Sequence, residues 1–194
     1  MTAESTPIVD GRRQRSVRSR QAIIDASIAL IEEGYLVPTA QRVSDRAGVG
    51  IRSFFRHFED MESLFTEIDR IVVARHEGQF ASIDYSGDLE IRVTNLVEFW
   101  SLIYSDDKAM LMTTKVQMWR YQVLRTNYSR VQSAISNTIA KWLPELVDSE
   151  PGKTIIVEAL VSFEMWHRLT DLQNVSSEEA KQQLKRILLL ELNN

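Results

Sequence analysis

An all-α fold is what this sequence predicts, and three observations predict it. Apolar residues recur at helical rather than alternating spacing. Seven Gly and four Pro in 194 residues leave long stretches with no turn-forming residue. Aromatics make up only 8%, which disfavours a strand-rich chain full of turns. With 44% hydrophobic and 26% charged residues, the chain can bury a sizeable core and is not disordered throughout.

The elements follow in order. Residues 1–15 read as a flexible basic arm, with Pro7, Gly11 and closely spaced charges at its end. A first helix begins near Ser16 or Ser19, whose hydroxyls can cap orphan amides. Ile24, Ile28 and Ile31 form its apolar stripe at i, i+4 and i+7, widened by Ile23 and Leu30. Gly34 stops it, because the chain turns left-handed there at little cost.

Thr39 caps a short second helix ending at Ala47. Gly48-Val49-Gly50 makes a tight turn, and Ile51 to Phe58 forms a third helix. Two short helices joined by about three residues, with Gly in the turn, are the helix-turn-helix pattern. Ala47 is small enough for the helices to cross closely, and Val43, Phe54 and Phe58 face the core shared with the first helix.

The rest is helical almost throughout. Asp60 caps a long helix with Leu64, Ile68, Ile71 and Val72 on its inner face, and Asp88 opens Leu89 to Tyr104. One or two helices fill Lys108 to Leu143, closed by Pro144. Another runs from Pro151 to about Leu172, and Ser176-Ser177-Glu178-Glu179 is a capping box for the last. The plan is thus an arm at 1–15, a three-helix helix-turn-helix domain at 16–60, and a larger helical domain at 61–194.

Charge is distributed unevenly. The chain carries a net −4, yet Gly11 to His57 holds nine arginines against four acids, a net +5, while all six lysines lie later. An all-arginine block suits planar, bidentate recognition of phosphate and guanine. A solvated helix face explains the same charges equally well.

Several function classes are disfavoured. With no cysteine, disulfides, thiolate metal sites and a cysteine nucleophile are excluded. His57, His76 and His167 are scattered, and no Gly-rich phosphate loop or nucleophile elbow occurs, so neither an enzyme nor a cofactor is expected. The longest charge-free stretch, Val131 to Ala140, is far too short to span a membrane. No signal-peptide core opens the chain, so a soluble, cytoplasmic protein is expected.

The order and spacing of Thr39, Val43, Ala47-Gly48-Val49, Phe54-Phe55-Arg56-His57-Phe58, Glu62 and Leu64 resemble the TetR family of bacterial transcriptional regulators. The motif covers roughly residues 16–65, and the remainder matches the family only in helix plan. There are departures. Gly50 stands where the family usually has Ser, Arg52-Ser53 where it has Gly-Thr, Phe55 where a Tyr hydroxyl binds phosphate, and Met61 where Lys is frequent.

The resemblance implies a ligand-responsive regulator, usually a repressor, that binds a near-palindromic double-stranded DNA operator as a homodimer. The third helix would enter the major groove, with Arg52 bidentate to a guanine and Ser53 and Ile51 adding short contacts. Arg42, Arg56 and His57 would hold phosphates, Phe55 would pack on the sugar backbone, and Arg12, Arg13 and Arg15 would reach a neighbouring groove. Arg56 has the alternative of pairing with Glu59 or Glu62, and His57 of being an unpartnered surface histidine.

For the second domain, the resemblance implies an interface built by the last two helices. Ile155, Ala159 and Ser162, and Ala180, Leu184, Ile187 and Leu188, recur at helical spacing and are its candidates; ordinary core is the competing reading. Large adaptable side chains, Phe99, Trp100, Tyr104, Met118, Trp119, Phe163, Trp166 and His167, are candidates to line a small-molecule effector cavity. The alternative overall is a dimeric DNA-binding or partner-binding protein without small-molecule control.

Overall fold

A computed structural model describes residues 11–193, and every regular element among them is helical. The head comprises α1 (Gly11–Glu32), α2 (Ala40–Ala47) and α3 (Ile51–His57). The body follows as α4 (Met61–Ala81), α5 (Leu89–Asp106), α6 (Lys108–Gln117), α7 (Gln122–Trp142), α8 (Pro151–Val161), α9 (Phe163–His167) and α10 (Ser177–Asn193). A 3₁₀ turn, Pro144–Asp148, links α7 to α8, and a π turn, Arg168–Leu172, extends α9.

Local chemistry sets most of the boundaries. The hydroxyl of Thr39 accepts the Arg42 amide (3.2 Å) and starts α2. Gly48 ends α2 at φ 66°, a left-handed conformation that β-carbon sterics disfavour elsewhere. Asp60 accepts from the Ser63 amide (2.8 Å), Asp88 from Ile91 (2.9 Å) and Ser176 from Glu179 (3.2 Å), so each opens its helix as expected.

Two boundaries differ from the sequence reading. Helix α1 begins at Gly11, so Arg12, Arg13 and Arg15 stand on an exposed helical face, not in an arm. Arginine, glutamine and valine carry little or modest helical penalty, so propensity lets the helix run upstream of the serines. The part of the arm at residues 1–10 lies outside the described residues. The helix expected from Pro151 to Leu172 breaks at Ser162, which is extended (φ −70°, ψ 156°) and whose hydroxyl accepts the Met165 amide (3.3 Å). A serine that competes for backbone in this way ends one helix and caps the next.

Two apolar cores result. The head core packs Ile23, Ile24, Leu30 and Ile31 of α1 on Val43, Phe54 and Phe58, and takes Met61, Leu64, Phe65 and Ile68 from α4. Met61 therefore fills core space where a surface lysine would reach outward. The body core centres on Trp100, Tyr104, Ile135, Ile139, Trp142, Phe163 and Trp166. Its buried polar tips are satisfied: Trp100 Nε1 donates to Thr138 Oγ1 (3.0 Å), Trp142 Nε1 to the Asp84 carbonyl (3.2 Å) and Tyr104 Oη to the Val161 carbonyl (2.7 Å).

Helix α4 packs its first half into the head core and sets Phe80, near its end, edge-on to Phe99 and Trp100 of α5. Two hydrogen bonds tie α6 to the head and α7 to the start of α4. Gln117 Nε2, at the end of α6, donates to the Leu36 carbonyl (2.8 Å) between α1 and α2. The Glu62 carboxylate accepts the Val123 amide (2.8 Å) at the start of α7.

Candidate nucleic-acid interface and effector cavity

Helix α3 is two-faced. Phe54 is fully buried and Phe58, its C-cap, nearly so, which fixes the helix against α1 and α2. Arg52, Phe55 and Arg56 consequently face outward, and Ile51, Ser53 and His57 are half-buried at the edges. The ring of Phe55 is 54% exposed although it lies edge-on to Phe54 at 5.3 Å.

The head's arginines fall into two groups. Arg20 pairs with Glu67 (3.0 Å) and lies over the Phe58 ring, and Arg46 is tied to Glu33. Among the described residues, by contrast, no carboxylate forms an ion pair with Arg42, Arg52 or Arg56. Arg42 stacks over the Tyr35 ring at 4.6 Å, and Arg56 donates to Ser53 Oγ (2.8 Å). The pairing of Arg56 with Glu59 or Glu62 does not occur; Glu62 is engaged with α7.

His57 is half-buried at the end of α3. Its Nε2 is buried without a hydrogen-bond partner. Burial first, and then the nearby Arg56 and Arg20 charges, lower its pKa below the ordinary 6.5. The downward shift favours the uncharged ring.

In the body, α4, α5, α6 and α7 enclose a cavity of about 460 Å³ with mainly apolar walls. Helix α4 supplies Val72, His76 and Phe80, spaced i, i+4 and i+8 on one face, and Trp100, Tyr104, Met110 and Leu111 close the opposite side. His76 is buried, with Nε2 against Asp107 and Nδ1 against Gln79, and Asp107 also takes Arg75 (3.2 Å). Asp69 is paired with Arg130.

Behind the cavity wall, Tyr128 Oη donates to Glu164 (2.6 Å), which also holds Lys115. Burial pushes the Glu164 carboxyl up, but the bonds from Lys115 and Tyr128 outweigh it and leave the group below its usual range. Burial, reinforced by that carboxylate, drives the Tyr128 phenol up to about 12.

Of the eight expected effector contacts, only Trp100 and Tyr104 line this cavity. Phe163 and Trp166 are sealed in the body core, and Phe99 packs against it. His167 stacks on Phe163 and bonds Asp171 (3.0 Å), Met118 packs on the head core, and Trp119 is 76% exposed. The spacing of Val72, His76 and Phe80 was the signal for the missed wall.

The expected interface set also divides. Ala180, Leu184 and Leu188 are buried in this chain's own core, where α10 packs on α5, so they are not an interface stripe. Ser162 is a half-buried helix cap. Ile155 (68% exposed), Ala159 and Ile187 do face outward, joined by Ile156 and Leu190 on the neighbouring surfaces of α8 and α10.

Fold and head together define a helix-turn-helix protein whose reading head is fused to a cavity-bearing helical body. Residues 23–68 match the model of bacterial regulatory proteins of the tetR family. The structure resembles that of a transcriptional regulator from Rhodococcus sp. Rha1 (TM-score 0.66, 16% identity, covering 92% of this chain and 96% of that one). It also resembles a TetR transcription regulator from Haloarcula marismortui (TM-score 0.62, 15% identity, 90% and 96% covered). A third similar structure is the multidrug binding protein EbrR complexed with imidazole (TM-score 0.56, 19% identity, 96% and 97% covered). No curated protein matches the sequence. No helix among the described residues is long and apolar enough to cross a membrane.

Proposed function

We propose that the protein is a homodimeric, ligand-responsive repressor, released from a near-palindromic operator by a small, largely apolar effector. The observation that carries the reading is α4, one helix whose first half is built into the head core and whose second half walls the cavity. A ligand and an operator that favour different settings of α4 oppose each other by their difference in affinity for those settings. Gln117 on Leu36 gives α6 a direct hold on the head, and Glu62 on Val123 ties α7 to the start of α4.

On DNA, the outward face of α3 lies in the major groove. Arg52, which no carboxylate among the described residues neutralises, reads a guanine, with Ile51 and Ser53 beside it. Arg42 and Arg56 hold phosphates, and Phe55 lies on the sugar backbone. Arg12, Arg13 and Arg15 add salt-dependent attraction from α1. One short helix reads too few bases for specificity, so two heads are needed. The exposed apolar faces of α8 and α10 are the surface that brings two copies together, through Ile155, Ala159 and Ile187. That EbrR, a multidrug binding protein, shares the fold supports a sensor role for the body.

Selection of bound duplexes from a random pool at physiological salt tests this reading. It predicts an enriched site with two half-sites related by a two-fold axis. A folded dimer that enriches no sequence refutes operator recognition and leaves a general electrostatic DNA binder.

A further inference from the structure

Several of the cavity's polar groups are committed to protein partners. The Trp100 indole, the Tyr104 and Tyr128 hydroxyls and both His76 nitrogens each have one. Of the three carboxylates in the lining, Asp69 is compensated by Arg130 and Asp107 by Arg75 and His76, while Glu77 is exposed to solvent. Thr113, on α6, is different. It lines the cavity, is only 3% exposed, and its hydroxyl has no hydrogen-bond partner. A buried hydroxyl left unmade loses the solvation it had in water and regains it only from an incoming polar group. A charged ligand would surrender its hydration to mainly apolar walls in which Asp69 and Asp107 are already paired, for little in return.

We propose that the effector is an uncharged molecule with an apolar body and one oxygen that hydrogen-bonds to Thr113. This rests on the reading of the cavity as the effector site and adds the ligand's chemical class and a specificity-determining residue. Thr113 and Gln117 stand one turn apart on α6, so the residue that recognises the oxygen shares a helix face with the bond to Leu36.

The test uses the full chain and three probes with the same ten-carbon tail, 1-decanol, decanoate and decyltrimethylammonium. Each is titrated calorimetrically, the alcohol below its solubility limit and the two ions below their micelle concentrations. The alcohol is expected to bind at least about tenfold more tightly than either ion. Thr113→Val is expected to weaken alcohol binding by about three- to tenfold, while Thr113→Ser, which keeps the hydroxyl, stays close to the parent. The same Thr113→Val change is expected to raise the melting temperature of the ligand-free protein, because it removes an unpartnered buried hydroxyl. Loss of affinity with gain of stability is a pattern that a purely structural role for Thr113 does not produce.

Tighter binding of either ion, or unchanged alcohol affinity in Thr113→Val, overturns the ligand class and leaves the sensor reading standing. If Thr113→Val fails to fold, the comparison of alcohol with ions on the parent chain still decides. Binding of none of the three probes overturns both the ligand class and the effector role of the cavity.

Discussion

Head and body handle charge and space in opposite ways. The head has a filled core and leaves Arg42, Arg52 and Arg56 without acidic partners on its surface. The body encloses an open volume and pairs two of the acids in its lining, Asp69 and Asp107, with Arg130 and Arg75. A rigid element with unpaired cations suits a polyanion that arrives from outside. A mainly apolar cavity suits a small molecule that leaves water to enter. The difference teaches that each region's partner is written in what it leaves unsatisfied.

The comparison breaks most severely if the head core is opened. Phe54→Ala removes a fully buried ring and is expected to cost about 3–5 kcal/mol of stability, with loss of DNA binding, read by urea denaturation and gel shift. On the body, Leu188→Ala is expected to cost about 2–5 kcal/mol, because Leu188 is core. Ile155→Glu, on the exposed face of α8, should leave chain stability within about 0.5 kcal/mol yet shift dimer to monomer in sedimentation. Equal effects of these two would erase the division between core and interface.

Smaller changes sharpen it. Thr39→Ala removes the α2 cap and is expected to cost about 1 kcal/mol in thermal unfolding. His57 gives a pH signature. Its folded pKa lies below the ordinary value, so between the two the unfolded chain binds more protons. Its contribution is present above about pH 6.5 and is lost as pH falls through the folded pKa. The stability difference between the parent and His57→Gln is expected to shrink between pH 7.5 and 5.5, measured by urea midpoints.

What was legible in the sequence follows the range of the interactions. The caps of Thr39, Asp60, Asp88 and Ser176, and the left-handed Gly48, act over three or four residues and are written where they act. The stripe of Ala180, Leu184 and Leu188 was readable as apolar, but periodicity says nothing about whether α5 or a second copy covers it. The cavity was harder still. Large size drew attention to Trp119, which is exposed, and to Phe163 and Trp166, which are sealed in core. The wall depends on which face of α4 turns toward α5, α6 and α7, a long-range packing choice. Thr113 carried no signal, since its significance is a missing partner that only packing reveals.

The central claim, that unpaired head arginines read DNA while paired ones hold the head together, is tested most directly at Arg52. Affinity for the selected duplex and for every single-base variant of one half-site should be measured for the parent, Arg52→Ala and Arg46→Ala. The account predicts that Arg52→Ala loses about 1–3 kcal/mol and discrimination at one base position, while Arg46→Ala, whose side chain is tied to Glu33, keeps the parent's pattern. Uniform weakening by Arg52→Ala across all variants, or an equal loss of discrimination in Arg46→Ala, would contradict it.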